Sequence, residues 1–533
     1  MRENRILKSL AIAVILIFYA NMCYATGAES CINSTGDRIN ESSKAPLKDE
    51  KDLLLPNAVW ENFYNLTQVP RPSHHENQIS AYMADFGRGL ALETVVDDVG
   101  NVLIRKPATA RMENRTGVIL QAHMDMVAQK NEDKNFDFLK DPIEAYVEDG
   151  WVKANGTTLG ADDGIGVATI MAILQDKELA HGPLEALFTV NEEDGFTGIN
   201  GLQPDLLQGK IYINVDSETE GEFTIGSAGG LYVDARDNYS EEKTPAEMAG
   251  FKISIRGLKG GHSGVDIGLG RGNAGKILSR MLWTAQRSFG LRIASLDGGD
   301  RYNAIPREAD AVVAVPEDEA DSFVGYVQEF QDTVQKELSA TEPDLIIGAE
   351  KTNLPAMVMD GPTSIRLMSA VYSCPNGVMR MSDAVPGLVE TSSSMGILKA
   401  ENGEFWAGFY VRSAIDSARD DLGNMILSVF ELAGGNVSFA GSYSGWAPNP
   451  DSPILGLMKQ IYLDKFGHQP KVIAIHAGLE TSVVGEKYPG MDMISVGPTL
   501  LDVHTPNERL EVLTVPKVYD LLSETMMSVP STD

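Results

Sequence analysis

Seven acidic and imidazole side chains, in five short segments, have the chemistry to bind divalent cations or to move protons. They are His123, Asp125, Asp162, Glu192, Glu193, Asp216 and His504. A mixed set of imidazole and carboxylate ligands suits Zn²⁺, Mn²⁺ or Co²⁺. Two such ions bridged by one carboxylate would lie about 3.5–4 Å apart and would stabilise the attacking and leaving oxygens of a hydrolysis.

The intervals between these residues are wide, and no short zinc-binding motif joins them. Taken singly, a histidine such as His123 or His504 is more often a hydrogen-bonded surface residue than a ligand. A pair of adjacent glutamates is usually solvated. The sequence therefore leaves the surface interpretation open for each cluster, and only their shared position along the chain favours a common site.

That shared position is the end of a predicted buried strand. Short apolar runs at 117–122, 184–190 and 211–215 predict buried strands, and a further strand at 493–496 precedes the loop that carries His504. Helical patterns lie between the strands, which predicts α/β layering with a largely parallel sheet. Ligands of open α/β sheets bind at the carboxyl ends of the strands, so we expect the clusters to meet there.

Asp162 and Asp163 lie between two glycines in the segment TLGADDGIG. Gly160 and Gly164 allow the backbone to approach a ligand closely. An amphipathic pattern predicts a helix that begins directly after the acidic pair. Acidic side chains packed among glycines at the boundary of an element usually have a partner, and a divalent cation shared with distant residues would supply it.

The order of the elements predicts a two-domain α/β protein. A catalytic domain with a largely parallel sheet is expected in two segments, residues 53–227 and 446–533. Between them, residues 228–445 predict an inserted α+β domain, because half-exposed strands there accompany long amphipathic helices. A chain of 533 residues is too long for one ordinary core, which agrees with this division.

The N-terminal segment predicts export to the periplasm or the exterior of the cell. Three basic residues precede an apolar run at 10–20 that is too short to span a bilayer comfortably. We predict a signal peptide at residues 1–25, followed by a flexible polar spacer at 26–52. A buried N-terminal helix is the alternative interpretation, and a lipid anchor on Cys23 is left open.

The charge balance excludes two classes of partner. Lys and Arg total 44 against 75 Asp and Glu, so the net charge is −31. Neither nucleic acid nor an anionic membrane surface is expected to bind such a chain. Three cysteines, Cys23, Cys31 and Cys374, cannot form a disulfide framework and lack the spacing of a zinc knuckle. Any metal site must therefore be built from histidines and carboxylates.

The sequence closely resembles the aminoacylhistidine dipeptidases, which are carnosinase-like or cytosol non-specific dipeptidases among the co-catalytic zinc peptidases and acylases. Eight segments carry the resemblance, in order, from about Asn57 to the C-terminus. They are AHMD, LGADDGIG, NEEDGFTG, NVDSE, GLKGGHSGVDI, RYNAIPRE, HAGLE and VGPTLLDVHTPNE. The resemblance implies an enzyme that hydrolyses small peptides, of the Xaa-His type and of a broader range. Two divalent cations, expected to be Zn²⁺, would activate the attacking water.

The resemblance also implies a role for each ligand. His123 and Asp216 would hold one ion, and Glu193 and His504 the other. Asp162 would bridge the two ions.

Two further carboxylates match the catalytic residues of that family. Asp125 would orient His123 through a hydrogen bond. Glu192 would act as the general base that takes a proton from water and passes it to the leaving amine. Adjacent side chains diverge in extended backbone, so Glu192 and its neighbour Glu193 can face different partners.

The inserted segment matches the lid and dimerisation domain of the family, so a homodimer through this domain is expected. His262 matches a histidine that stabilises the transition state. Asn303 and Arg412 match groups that hold the C-terminal carboxylate of the substrate, and Gly478 lies in a substrate-facing loop. Without the resemblance, the glycine-rich segment around His262 would be taken as an ordinary turn and Arg412 as a solvent-facing residue.

Two other functions are left open by the sequence. An N-acyl amino acid deacylase or a short-chain carboxypeptidase could use the same scaffold. A non-catalytic peptide-binding protein would be expected to have lost a ligand or the base, whereas all seven positions hold competent residues.

Overall fold

An eight-stranded sheet carries the segments singled out above in the computed structural model, which describes residues 44–532. In spatial order its strands are Glu93–Val96, Val102–Lys106, Leu184–Thr189, Val118–His123, Ile211–Asn214, Asp492–Ser495, Glu222–Ser227 and Lys471–Ile475. The four strands from Leu184–Thr189 to Asp492–Ser495 are mutually parallel, so their carboxyl ends share one edge. The predicted α/β class with a largely parallel centre is confirmed.

The central strands are buried on both faces, which explains their continuous apolar sequence. Along Val118–His123, successive side chains alternate between two hydrophobic clusters: Val118 and Leu120 face one, and Ile119 faces the other. The helices on the first face are Asn57–Thr67, Asn77–Gly89, Ala161–Gln175, Pro453–Phe466 and Val515–Ser528, and those on the second are Thr197–Gly201 and Glu480–Lys487.

A small five-stranded sheet closes one side of this layer. Its strands are Ala45–Pro46, Ala145–Glu148, Trp151–Ala154, Arg509–Glu511 and Leu500–Leu501. The strand Ala45–Pro46 and the helical turn Leu47–Glu50 lie inside the segment predicted as a flexible spacer at 26–52. The spacer prediction is wrong for these residues, because Leu47 is fully buried and anchors the turn in the hydrophobic core.

The middle of the chain forms a nine-stranded antiparallel sheet. Eight strands lie in the spatial order Ile346–Thr352, Met248–Arg256, Ala309–Pro316, Arg292–Asp300, Val389–Glu401, Glu404–Ser413, Gly229–Asn238 and Asn436–Tyr443, and Gly377–Met381 pairs with Val389–Glu401. Four helices pack against the sheet: Ala274–Ser288, Ala320–Glu337, Gly361–Ser373 and Asp416–Leu432. Two short antiparallel pairs complete the described strands, Glu241–Lys243 with Met357–Met359 and Gly261–His262 with Ala304–Ile305.

The largest hydrophobic cluster of each sheet draws its side chains from different parts of the chain. One contains side chains from Leu47 to Ile225 and again from Ile454 to Val529, whereas the other contains side chains from Leu231 to Phe430. The chain therefore leaves the first core and returns to it. The boundaries at 227/228 and 445/446 stay predictions.

Between the strands Leu184–Thr189 and Ile211–Asn214, where a helical pattern was expected, the helix is the short segment Thr197–Gly201. Pro204 follows it, and a proline disfavours helical conformation in the residue before it and cannot donate a backbone hydrogen bond. The predicted signal peptide at 1–25 lies outside the described residues. Between residues 44 and 532, the structure contains no helix that is long and apolar enough to cross a bilayer.

Candidate metal centre

Three neighbouring parallel strands end at the predicted site. His123 is the last residue of Val118–His123, the pair Glu192 and Glu193 follows Leu184–Thr189, and Asp216 follows Ile211–Asn214. Every residue of these three strands is buried, so the strands fix the positions from which the polar side chains project. As predicted, the polar clusters lie together at the carboxyl edge of the sheet.

Asp162 contributes one carboxylate oxygen to each of two imidazoles. Its Oδ1 lies 3.2 Å from Nε2 of His123, and its Oδ2 lies 3.1 Å from Nε2 of His504. Nε2 of His123 also lies 3.5 Å from Oδ1 of Asp216, and Nε2 of His504 lies 2.9 Å from Oε2 of Glu193. The five side chains therefore form two groups that share Asp162.

The composition and spacing of these groups fit divalent cations. Each group supplies one imidazole nitrogen and two carboxylate oxygens: His123, Asp162 and Asp216 in the first, and Asp162, Glu193 and His504 in the second. Two ligands bound at about 2.0–2.1 Å to one tetrahedral ion lie about 3.3 Å apart. The nitrogen–oxygen distances here are between 2.9 and 3.5 Å.

The electrostatics of the cluster are those of a cation site. Hydrogen bonds with Asp162 and Glu193 raise the pKa of His504 to about 11. Burial lowers the pKa of His123, but the surrounding carboxylates, Asp216 foremost, raise it well above its ordinary value. Burial and neighbouring carboxylates raise the pKa of Asp216 to about 7, although His123 opposes this. Crowded negative charge thus favours any bound positive charge.

Asp125 is fully buried and joins the imidazole to the adjacent glutamates. Its Oδ1 lies 3.4 Å from Nδ1 of His123 and accepts a hydrogen bond of 3.0 Å from the backbone N–H of Glu192. Its Oδ2 accepts hydrogen bonds from the backbone N–H of Glu193 at 3.3 Å and from the hydroxyl of Ser73 at 2.8 Å. One carboxylate therefore fixes both the ring and the turn that follows the neighbouring strand.

The two adjacent glutamates have different surroundings. Among residues 44–532, none donates a hydrogen bond to the carboxylate of Glu192, although this carboxylate lies near His123 and Glu193. Burial raises the pKa of Glu192 well above its ordinary value; His123 opposes the shift, and Asp216 is among the carboxylates that add to it. A carboxylate with a raised pKa and no bound partner is suited to accept a proton.

His262 and Arg412, from the middle of the chain, lie next to each other. Nη2 of Arg412 is 3.4 Å from Nε2 of His262, and Nη1 is 3.5 Å from the hydroxyl of Tyr443. The guanidinium carbon lies 3.9 Å from the ring centre of Tyr410. Arg412 is only 3% exposed, and within the part of the chain that the structure describes it has no carboxylate partner.

The ring of His262 is oriented by backbone. Its Nδ1 accepts hydrogen bonds from the N–H groups of Gly264 at 3.3 Å and Val265 at 3.1 Å. Burial and the charge of Arg412 lower its pKa to about 4. The neutral ring therefore carries its proton on Nε2, where it can donate.

Gly478 and Asn303 occupy different environments. A Cβ atom on Gly478 would lie 2.9 Å from the hydroxyl of Tyr443 and 3.2 Å from the ring of Phe196, so glycine permits a close approach there. Asn303 is exposed, and only its backbone carbonyl is engaged, accepting from the N–H of Ser263 at 2.8 Å. The structure thus places Asn303 beside the strand Gly261–His262 without bringing its side chain to Arg412.

Sequence reasoning missed Ser73, and it expected a cation as the partner of both Asp162 and Asp163, whereas Asp163 accepts hydrogen bonds from the backbone. Oδ2 of Asp163 accepts from the backbone N–H of His123 at 3.3 Å, and Oδ1 accepts from Gly166 at 3.1 Å at the start of the regular helix. The adjacency to Asp162 was the only signal for Asp163. The sequence contained no signal for Ser73, because the hydrogen bond from Ser73 to Asp125 joins residues that are 52 positions apart.

Comparison with known proteins identifies relatives along nearly the whole chain. Peptidase family M20/M25/M40 matches residues 119–528. A cytosol non-specific dipeptidase of Escherichia coli (strain K12) is 42% identical over 487 residues, which are 90% of this chain and 99% of the relative. The crystal structure of an aminoacylhistidine dipeptidase from Vibrio alginolyticus matches with a TM-score of 0.86 and 41% identity, over 91% of this chain and 99% of the other.

A more distant structure shares the fold alone. The aminopeptidase PepT of Bacillus cereus ATCC 10987 matches with a TM-score of 0.53 at 16% identity, over 89% of this chain and 99% of that one. The resemblance drawn from the eight sequence segments is confirmed by the two relatives above 40% identity.

The prediction of export is wrong. The relative from E. coli aligns over 99% of its own length and is named for the cytosol, which contradicts a periplasmic or secreted location.

The prediction of an enzyme, by contrast, is confirmed. The matched family consists of peptidases, and the match covers 77% of the chain, from the strand that carries His123 to the C-terminal helix. Those residues include every member of the two groups that share Asp162. The chain therefore belongs to peptidase family M20/M25/M40.

Proposed function

We propose that this protein is a dipeptidase that uses two divalent cations, most simply Zn²⁺, to hydrolyse short peptides of the Xaa-His type and others. The pair of three-residue groups that share Asp162 carries this proposal. Family membership and relatives named as dipeptidases support it. When bound, the ions would polarise the scissile carbonyl and lower the pKa of water.

The side chains of the site would then have different roles in binding the ions. His123 and Asp216 would hold one ion, Glu193 and His504 the other, and Asp162 both, one oxygen to each. Asp125 would keep the ring of His123 in place through the contact at Nδ1.

Glu192 would be the general base. Its carboxylate stands near the ligands without a hydrogen-bond donor among the described residues, so it is available to water. Asp125 holds the backbone N–H of Glu192, which sets the direction of the side chain. Glu192 would take a proton from the attacking water and deliver it to the leaving amine.

Arg412 and His262 would bind the substrate's oxygens. A buried guanidinium without a carboxylate partner is costly, and an incoming carboxylate would compensate it. The N–H groups of Arg412 and the Nε2–H of His262 converge within 3.4 Å, an arrangement of two donors that favours an oxygen acceptor between them. The C-terminal carboxylate of a dipeptide or the developing charge on its carbonyl would supply that acceptor. Asn303 and Gly478 would complete the substrate-binding surface.

Closure of the middle domain on the sheet edge would exclude water during the reaction. Phe196 follows the glutamate pair by a few residues, and its ring packs edge-on against Tyr443 with centroids 5.8 Å apart. Tyr443 in turn contacts Arg412. A short substrate would thus be held from both sides, and a long one would be excluded.

A homodimer through the middle domain is also proposed. Exposed apolar side chains gather beside His262, where the turn Ile267–Leu269 contacts the strand Gly377–Met381. They are Val265, Leu269, Val378, Met379 and Met381, which are 38–66% exposed. A second copy of the chain would remove this surface from water.

Turnover of a small panel, together with metal analysis, tests the function. We expect Ala-His and Gly-Leu to be hydrolysed, a tripeptide to be hydrolysed poorly and N-acetyl-Met to be spared. Plasma emission analysis of the purified chain should find about two divalent ions, as the two-metal arrangement requires. Preferred cleavage of N-acetyl-Met would instead indicate the deacylase, and an active protein without metal would contradict the mechanism.

Separate replacement of Glu192 and Glu193 distinguishes the role of general base from that of metal ligand. Glu192→Gln should lower turnover on the order of 10²–10⁴-fold while both ions stay bound, because only the proton acceptor is lost. Glu193→Gln should lose metal as well as activity, because an amide is a poorer ligand than a carboxylate. An active Glu192→Gln enzyme, or a Glu193→Gln enzyme with unchanged metal content, would refute the assignment.

Arg412→Lys tests recognition of the carboxylate. Lysine keeps the charge but loses the planar pair of donors, so turnover of a dipeptide should fall far more than turnover of its C-terminal amide. Kinetics on the two substrates measure the difference, and Arg287→Lys, at an exposed position of the same domain, is the matched control. An equal loss on both substrates would mean that Arg412 supports the fold.

Light scattering tests the dimer. The wild-type chain should have twice the mass of one copy, and Met379→Glu should shift it toward the monomer because a charge is buried at the interface. Met527→Glu, in the C-terminal helix with a similar exposure of 38%, is the control. A monomeric wild type, or a Met379→Glu variant as dimeric as the control, would argue against this interface.

A further inference from the structure

Glu508 binds the backbone of the segment that carries Asp162. The carboxylate is 2% exposed, and it accepts hydrogen bonds from four successive N–H groups. Oε2 accepts from Leu159 at 2.7 Å and Gly160 at 3.0 Å, and Oε1 accepts from Ala161 at 2.7 Å and Asp162 at 3.3 Å. Both oxygens are thus fully used on one short stretch of main chain.

Arg71 holds the same segment from another side. Its guanidinium, also 2% exposed, donates to the carbonyls of Met124 at 2.9 Å and Asp125 at 3.0 Å, and to the carbonyl of Gly160. It thereby ties the loop after His123 to the loop before Asp162. Burial lowers the pKa of Arg71, and the charge of Glu508 opposes this most strongly, so the two buried charges compensate each other.

The glycines of the segment make room for this guanidinium. A Cβ atom on Gly160 would lie 2.7 Å from Nη2 of Arg71, and one on Gly164 would lie 2.4 Å from the same atom. Gly160 also has a φ of +70°, a conformation that favours glycine. The glycines that flank the acidic pair therefore serve the packing of Arg71.

Glu508 lies only four residues after His504. A turn joins them, in which the N–H of Glu508 donates to the carbonyl of Thr505 at 3.0 Å and the N–H of Asn507 donates to the hydroxyl of Thr505 at 3.1 Å. One short segment thus supplies a side chain of the second group and the carboxylate that holds the backbone of Asp162.

We propose that Glu508 is a positioning residue that sets Asp162 and His504 in place together, so that the site of the second ion forms as one unit. This inference rests on the proposed two-ion function. If the hydrogen bonds of Glu508 are broken, both Asp162 and the turn of His504 lose their common anchor. Affinity for the ion held by Asp162, Glu193 and His504 should then fall, although none of these three is altered.

Glu508→Gln is the sharpest variant. The glutamine has the same shape, but its NH₂ group would face two backbone N–H donors instead of accepting from them. Glu511→Gln, in the adjacent strand, is the matched control, because in residues 44–532 the hydrogen bonds of Glu511 involve its backbone alone.

The measurement is zinc release from the purified full-length protein to a chromogenic chelator of known affinity. We expect the wild type and Glu511→Gln to release two ions alike. In Glu508→Gln, one ion should be bound about 10–100-fold more weakly, the usual effect of losing a residue that orients a ligand. Added zinc should restore turnover of this variant toward that of the wild type, which a loss of folding alone would not allow.

The outcomes distinguish the two proposals. A wild type that holds fewer than two ions would overturn the two-ion function itself. If the folded Glu508→Gln protein binds two ions with unchanged affinity, the positioning role alone would be overturned. This holds even if the melting temperature of the variant is lower. If Glu508→Gln does not fold, Arg71→Lys tests the other half of the same anchor, because lysine cannot span the carbonyls of Asp125 and Gly160 at once. Unchanged zinc release in that variant would also contradict the proposal.

Discussion

The crowding of partly buried carboxylates at one edge of the central sheet is the constraint on which the rest of the structure depends. Asp162, Asp216, Glu192 and Glu193 come together where water is scarce, and like charges held so close repel each other. Such a cluster is stable only if positive charge and hydrogen-bond donors are supplied around it. The surrounding fold can be understood as the source of both.

The donors come from rigid parts of the chain. Backbone N–H groups bind Asp125, Asp163 and Glu508, while Arg71 compensates the buried charge of Glu508. Imidazoles face the remaining oxygens, and divalent cations would complete the neutralisation. Because the strands beneath are buried on both faces, the packed sheet resists the separation of these groups by their mutual repulsion.

The middle domain presents the opposite problem, a buried cation. Arg412 lies on an antiparallel strand, stacked on Tyr410 and close to His262, and has no carboxylate partner in the described chain. The carboxylate cluster and the unpaired guanidinium therefore differ in what they lack: one lacks positive charge, and the other lacks negative charge. Under the proposed function, divalent cations would supply the positive charge to the carboxylate cluster, and the terminal carboxylate of a short peptide would supply the negative charge to Arg412.

Much of this protein was determined by local sequence. Apolar runs of four to seven residues fixed the buried strands, and the polar residues directly after them, such as His123 and Asp216, were expected at the carboxyl edge because strand direction alone places them there. The two glycines beside Asp162 marked a close approach of backbone. The roles of His262 and Arg412, by contrast, came from the resemblance to a family, since a glycine-rich turn and a strand arginine are common on surfaces.

Tertiary structure alone decided what holds those residues. Glu508 and Arg71 were invisible in the sequence, because their partners are main-chain atoms about 350 and 50–90 residues away, and a backbone N–H has no sequence signature. Leu47 lay in a polar stretch that predicted a spacer, yet one buried side chain was enough to anchor it to the core. The periodicity of a sequence indicates which face of an element is apolar. The contacts that orient a buried charge depend instead on how distant segments meet, and this arrangement is set only when the whole chain packs.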